Sequence, residues 1–211
     1  RAALLRRFKT LHELVTSADR QFLLIGEPEC EELLSAPVAQ AWATKSNESA
    51  LDDFTLEPIR QSVAQAWTTS TQVNFCAQAY PTVPANHKDH PTLQVLAGFL
   101  RNGYLHSAIR EKGGAYGGMA GYNAGGGLFS MLSYRDPHLE RTLDVYEECV
   151  EWACKGGFSD EMINESILTA FAELDRPLSP GSRGYREFIH QQQGVNHDML
   201  QSFRNGILAV K

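Results

Sequence analysis

Residues 109–118 read IREKGGAYGG and residues 125–137 read GGGLFSMLSYRDP, and between them a helix gives way to strands. Upstream, apolar residues recur at helical spacing through Leu93, Leu96, Ala97, Leu100, Tyr104, Ala108 and Ile109. Gly113 and Gly114 then supply the left-handed geometry that ends a helix. A strand starting directly afterwards alternates its side chains between two faces, which puts Tyr116 with Gly118 and Ala120, small neighbours that leave the phenol room to meet another backbone. Arg110 sits about one helical turn before the corner. A guanidinium and a phenol, both donors at neutral pH, suit gripping a peptide carbonyl or a developing oxyanion.

The same residues allow plainer roles. Arg110 can cap the helix C-terminus or pair with Glu111 or Asp136, and Tyr116 can pack in a core with its hydroxyl satisfied. Gly113, Gly114, Gly117 and Gly118 can serve turn geometry alone, although two glycines inside a strand invite a close neighbour. SYRDP at 133–137 reads first as strand end, helix cap and first helical turn, with Asp136 capping and Pro137 opening the helix.

Outward from this corner the chain alternates elements. Strands at Ala115–Tyr122 and Leu128–Arg135, joined by a glycine-rich turn, read as a hairpin. A helix with an apolar stripe of Leu139, Leu143, Tyr146, Val150 and Ala153 ends at Gly156 and Gly157. Another, capped by Ser159, turns Ile163, Ile167, Ala170, Phe171 and Leu174 inward. Three or four helices thus close the chain. Upstream come an amphipathic helix in RAALLRRFKTLHELV, a short strand at Gln21–Ile25, and a helical stretch from about Pro28 to Ala43 that Pro37 kinks or divides. The polar run at 44–54 reads as a linker. Strand-like runs follow at Ser62–Trp67 and Gln72–Tyr80. Strands with helices beside them make an α+β fold, a mostly antiparallel sheet covered by helices on one face.

Composition narrows the function. With 211 residues, of which 43% are hydrophobic, the chain can bury one good core, and it is most simply one domain in which 1–57 form a less certain lead-in to 58–211. A net charge of −6 argues against nucleic acid and suits cationic peptides. No apolar run approaches the length of a membrane span. Cys30, Cys76, Cys149 and Cys154 form no C-x-x-C pair, a usage that fits a reducing compartment, cytoplasm or organelle matrix. The glycines of GGAYGG open a strand instead of a helix and lack the P-loop lysine, so they do not form a phosphate cradle. His87 and His90 in NHKDHP suggest a metal pair, but that spacing before a proline-started helix is more often a solvated loop, and no second ligand pair accompanies it. Trp42, Trp67 and Trp152 read as core or interface anchors.

From about Asp89 to Arg183 the sequence resembles the C-terminal part of presequence-protease-type enzymes, a branch of the pitrilysin/insulinase superfamily of zinc metallopeptidases. The residues that carry the resemblance are R-x-K-G-G-A-Y-G at 110–117 and S-Y-R-D-P at 133–137. It implies an α/β-roll domain of such metalloenzymes, the last of four. It also implies that Arg110 and Tyr116 hold substrate opposite a zinc, as the transition-state donors, with Gly114 and Gly117 lining the peptide. The family's H-x-x-E-H motif does not occur among the seven histidines. The resemblance therefore assigns zinc to an N-terminal half of the same polypeptide, and the isolated chain is expected to hold no metal and to be inactive. The implied partners are that half and short unfolded peptides. An excised domain is also expected to expose apolar surface and to be prone to dimerise. The alternative is a non-catalytic interaction subunit of the same fold.

Overall fold

The computed structural model describes residues 1–18, 20–43 and 61–211. The expected linker at 44–54 and the boundary near residue 57 lie outside the described residues. The chain divides into two compact units.

The first unit spans Arg1–Ile59 and Leu178–Gly194. Helix α1 (Ala2–Ser17) buries no residue, and Leu4, Leu5, Phe8 and Leu11 on it are exposed. A 3-10 turn at Pro28–Cys30 leads into α2 (Glu31–Ala41), and Pro37 sits inside that helix without dividing it. Residues 21–25 form no strand. The backbone there runs beside helix α6 (Pro180–Gln192), so closely that a Cβ on Gly184 would stand 2.8 Å from Ile25.

The second unit spans Arg60–Pro177 and Val195–Lys211 and holds the corner. Its sheet has three antiparallel strands in the order β1 (Ala77–Pro81), β3 (Leu128–Tyr134), β2 (Gly117–Asn123). The hairpin stands as expected. The run at 62–67 is not a strand and is exposed throughout, and β1 occupies only the end of the 72–80 stretch. Along β3, Phe129, Met131 and Ser133 are buried, whereas Leu128 and Tyr134 are exposed. One face therefore packs beneath helices and the other stays open, as the sequence implied.

Helix α3 (His90–Leu100) continues into a π-helical stretch, Arg101–Glu111, whose wider turns carry Lys112 N–H to Ser107 C=O at 3.0 Å. The widening moves the apolar stripe. Burial steps five residues from Leu100 to Leu105, and Leu105 is fully buried where helical spacing chose Tyr104. Leu105, Ile109, Phe129, Met131, Tyr146 and Cys149 build the main core with α4 (Glu140–Lys155), and burial pushes the Cys149 thiol up to about 12. A second cluster of Val95, Ile167, Ala170 and Ile207 joins α3 to α5 (Asp160–Leu174) and α7 (His197–Leu208). Ser159 caps α5 as expected, accepting from Met162 N–H.

Candidate active site

The corner after Ile109 is an αL closure, widened as the π-helical stretch before it is. Ala115 N–H donates to Ile109 C=O at 3.1 Å and Gly114 N–H donates to Arg110 C=O at 3.0 Å. Only Gly114, with φ of 77°, takes the left-handed conformation expected of the pair. Gly113 is needed for a different reason: a Cβ there would lie 2.5 Å from the Ile109 carbonyl oxygen. Ala115 and Ile109 on either side of the corner are both buried in the main core.

The closure leaves Arg110 exposed on the last turn and Tyr116 68% exposed just before β2. The Tyr116 N–H is tied to Tyr134 C=O at 3.1 Å, and its ring meets Tyr134 edge-on with centroids 5.8 Å apart. Tyr134 in turn meets Phe75 edge-on at 5.3 Å. Because β2 begins at Gly117, strand alternation does not extend to Tyr116. Its ring meets Tyr134, whereas Gly118 and Ala120 are buried, so the expected shared face is not formed.

Tyr134 is the member of the site that sequence reasoning passed over. Cys76 C=O accepts from Ser133 N–H, yet Asn74 pairs with Asp136, so Tyr134 and Arg135 together stand opposite the single Phe75. That is a β-bulge, and Arg135 carries its positive φ of 50°. The signal was present in SYRDP, which does serve architecture, but by bulge and turn. Asp136 is 1% exposed and accepts from His138 N–H at 2.9 Å and Thr142 Oγ1 at 2.8 Å, while α4 itself starts later, at Glu140.

The two carboxylates that Arg110 could pair with have other partners. Glu111 lies beside His106, and Asp136 is satisfied by the turn it closes. Among the described residues neither the Arg110 guanidinium nor the Tyr116 hydroxyl has a hydrogen-bond or ion-pair partner in the protein, and Arg110 stands over the Tyr116 ring at 5.9 Å. Two adjacent donors thus face outward from a rigid corner. Gly117 has open space on its Cβ side, whereas the Gly114 N–H is already used by the closure.

Nearby, Lys112, Gly113 and His138 border a groove of about 350 Å³ on whose far side Arg141 makes a two-pronged pair with Glu148. That pairing holds the Glu148 carboxyl below its usual range. His90 is partly buried, with its Nδ1 2.7 Å from Ala85 C=O and its ring stacked on Phe203. Among the described residues no group of three or more His, Cys, Asp or Glu side chains could hold a metal, and no helix is long and apolar enough to cross a membrane.

Residues 64–211 match the family model of the PreP C-terminal domain. The mitochondrial presequence protease of Yarrowia lipolytica is 39% identical over 167 residues, which is 79% of this chain and 17% of that protein. The one from Danio rerio is 41% identical over 138 residues, 65% of this chain and 13% of that protein. The chain thus spans less than a fifth of the length of these relatives. In fold it is similar to the crystal structure of a peptidase M16 inactive domain from Pseudomonas fluorescens, with a TM-score of 0.57 at 16% identity, covering 86% of this chain and 45% of that one. By its match over residues 64–211 and by these relatives, the chain belongs to the PreP C-terminal domain family.

Proposed function

We propose that this chain is the substrate-clamp domain of a zinc metalloendopeptidase that degrades short unfolded peptides. The observation that carries the proposal is the pair of unpartnered donors, Arg110 and Tyr116, held side by side at a rigid corner. The residues described here offer no zinc ligand set. In this reading the metal and the general base belong to the N-terminal half of the longer polypeptide.

The chain's own residues bind and orient. Tyr116 donates its hydroxyl hydrogen to the scissile carbonyl oxygen as that oxygen gains charge, an interaction that strengthens toward the transition state. Arg110 holds the neighbouring peptide oxygen with its planar fork and keeps the phenol turned toward it. The bulge at Tyr134 and Arg135 fixes the wall against which the Tyr116 ring rests. Placement in an organelle matrix is supported by relatives named as mitochondrial. The exposed apolar residues of α1 support packing against the remainder of the polypeptide.

A double-variant cycle on peptide turnover in the full-length enzyme tests the clamp. Because Arg110 also orients the phenol, Arg110→Ala and Tyr116→Phe together give a loss smaller than the sum of the two in free energy. Strictly additive losses would separate their roles, and no loss would remove the clamp.

A further inference from the structure

Strand β2 is an edge: the sheet order is β1-β3-β2, and among the described residues nothing pairs with its outer side. Soluble proteins protect such edges with charge, proline or a bulge. The sequence GGMAGYN at Gly117–Asn123 has no charged residue and no proline, and its register against β3 runs unbroken from Gly117 opposite Tyr134 to Asn123 opposite Leu128. The opposite edge, β1, ends at Pro81.

Two glycines of β2 answer to no demand of the fold. A Cβ on Gly117 would meet nothing within 4 Å, and one on Gly121 would meet only Ser130 Oγ at 3.9 Å. Gly118 differs, since a Cβ there would lie 2.8 Å from the Leu105 carbonyl oxygen. Glycine in a strand without an internal reason marks a place where another backbone comes close.

Beside this edge lies a cleft of about 140 Å³ between β2, at Ala120 and Tyr122, and the helices that carry Gly98, Arg101, Thr169 and Glu173. Arg101 and Glu173 stand 3.6 Å apart there, both partly exposed, and Gly98 leaves open space. The cleft is well below the size of a cofactor pocket and suits one side chain.

We propose that the free edge of β2 accepts an extended peptide as a fourth strand, with one polar side chain of that peptide in the cleft that Arg101 and Glu173 line. The inference rests on the clamp reading: Tyr116 immediately precedes β2, so a peptide held by Arg110 and Tyr116 continues along the same edge. The cleft lies roughly 13–20 Å further along the strand. Main-chain pairing supplies sequence-tolerant affinity and the cleft supplies a preference at one position, the division of labour common to strand addition.

Hydrogen exchange on the full-length enzyme carrying Tyr116→Phe, with and without a saturating unstructured basic peptide of about ten residues, tests the edge. The expected result is exchange slowed by about tenfold at alternate amides of residues 117–123 when peptide is bound. Unchanged exchange overturns the proposal. Protection already present without peptide also overturns it, by a second copy if it fades on dilution and by another segment of the same polypeptide if it does not. In a Gly98→Leu variant of the otherwise native enzyme, leucine favours the helix and fills the cleft, so KM should rise by about tenfold for peptides with a polar residue at that position. An unchanged KM removes the cleft. Protected β2 amides together with normal turnover of Tyr116→Phe would retain strand addition and discard the clamp, and unprotected amides with lost turnover would do the reverse.

Discussion

The guanidinium carbon of Arg110 lies 5.9 Å from the centre of the Tyr116 ring, and that ring meets Tyr134 edge-on at 5.8 Å. A cation over a phenol is worth about 0.5–1 kcal/mol at an exposed site, enough to bias the orientation of the ring but not to hold the fold. Arg110→Lys keeps the charge and loses the fork. A lost charge-assisted bond of about 1.5–3 kcal/mol should lower kcat/KM in the full-length enzyme by on the order of tenfold to a hundredfold, with the melting temperature unchanged. A drop in melting temperature with normal kcat/KM would make Arg110 a structural cap.

The glycines of the corner should separate by cause. Gly118→Ala drives a Cβ to 2.8 Å from both Ile109 Cβ and the Leu105 carbonyl oxygen, an overpacking cost of about 1–3 kcal/mol. Gly114→Ala meets space but forces φ of 77° on a side chain, at about 1–2 kcal/mol. Gly117→Ala meets neither obstacle and should change stability by less than about 0.5 kcal/mol. Denaturant midpoints of the three variants check the order, and an equal loss at Gly117 would contradict it.

The buried carboxylate of Asp136 should depend on Thr142. Thr142→Val removes the 2.8 Å bond to Asp136 Oδ2 without changing the side-chain shape, and should cost about 1.5–3 kcal/mol. Thr142→Ser keeps the donor and should recover most of that loss. Equal stability of the valine and native proteins would mean that the His138 N–H alone satisfies Asp136.

How much of this was legible in the sequence follows from the range of the forces involved. The hairpin, the Ser159 cap and the glycine stop at Gly156 rest on local chemistry, and they stand where the residues placed them. The strand expected at 21–25 and the one at 62–67 were read from β-favouring side chains alone, and a strand needs a partner that composition does not reveal. The π-helical widening could not be seen either, because a 3.6-residue period was assumed across Leu100 to Leu105. In the candidate site, Arg110 and Tyr116 stood out because both flank one glycine corner and fall on the motif that carries the family resemblance. Tyr134 was missed because its role depends on a bulge, a register effect set between the run before β1 and the end of β3.

His90 gives a pH dependence with a definite sign. Burial against Phe203 and Tyr122 holds its imidazole below the ordinary value of 6.5, so the unfolded chain binds the proton more readily. The associated stability is complete above about pH 6.5 and falls as the pH drops through and below that value. Thermal scans from about pH 7.5 to about pH 5.5 should show a steeper decline for the native protein than for His90→Asn. Parallel curves would show that His90 titrates normally.

The most direct measurement is peptide turnover and thermal stability of Tyr116→Phe, made on the same preparation of the full-length enzyme. The change removes one hydroxyl that has no hydrogen-bond partner among the described residues, so folding loses nothing that the structure shows. Turnover should fall by on the order of a hundredfold, the usual effect of losing one oxyanion donor, with the melting temperature unchanged. Near-native turnover would contradict the role assigned to Tyr116.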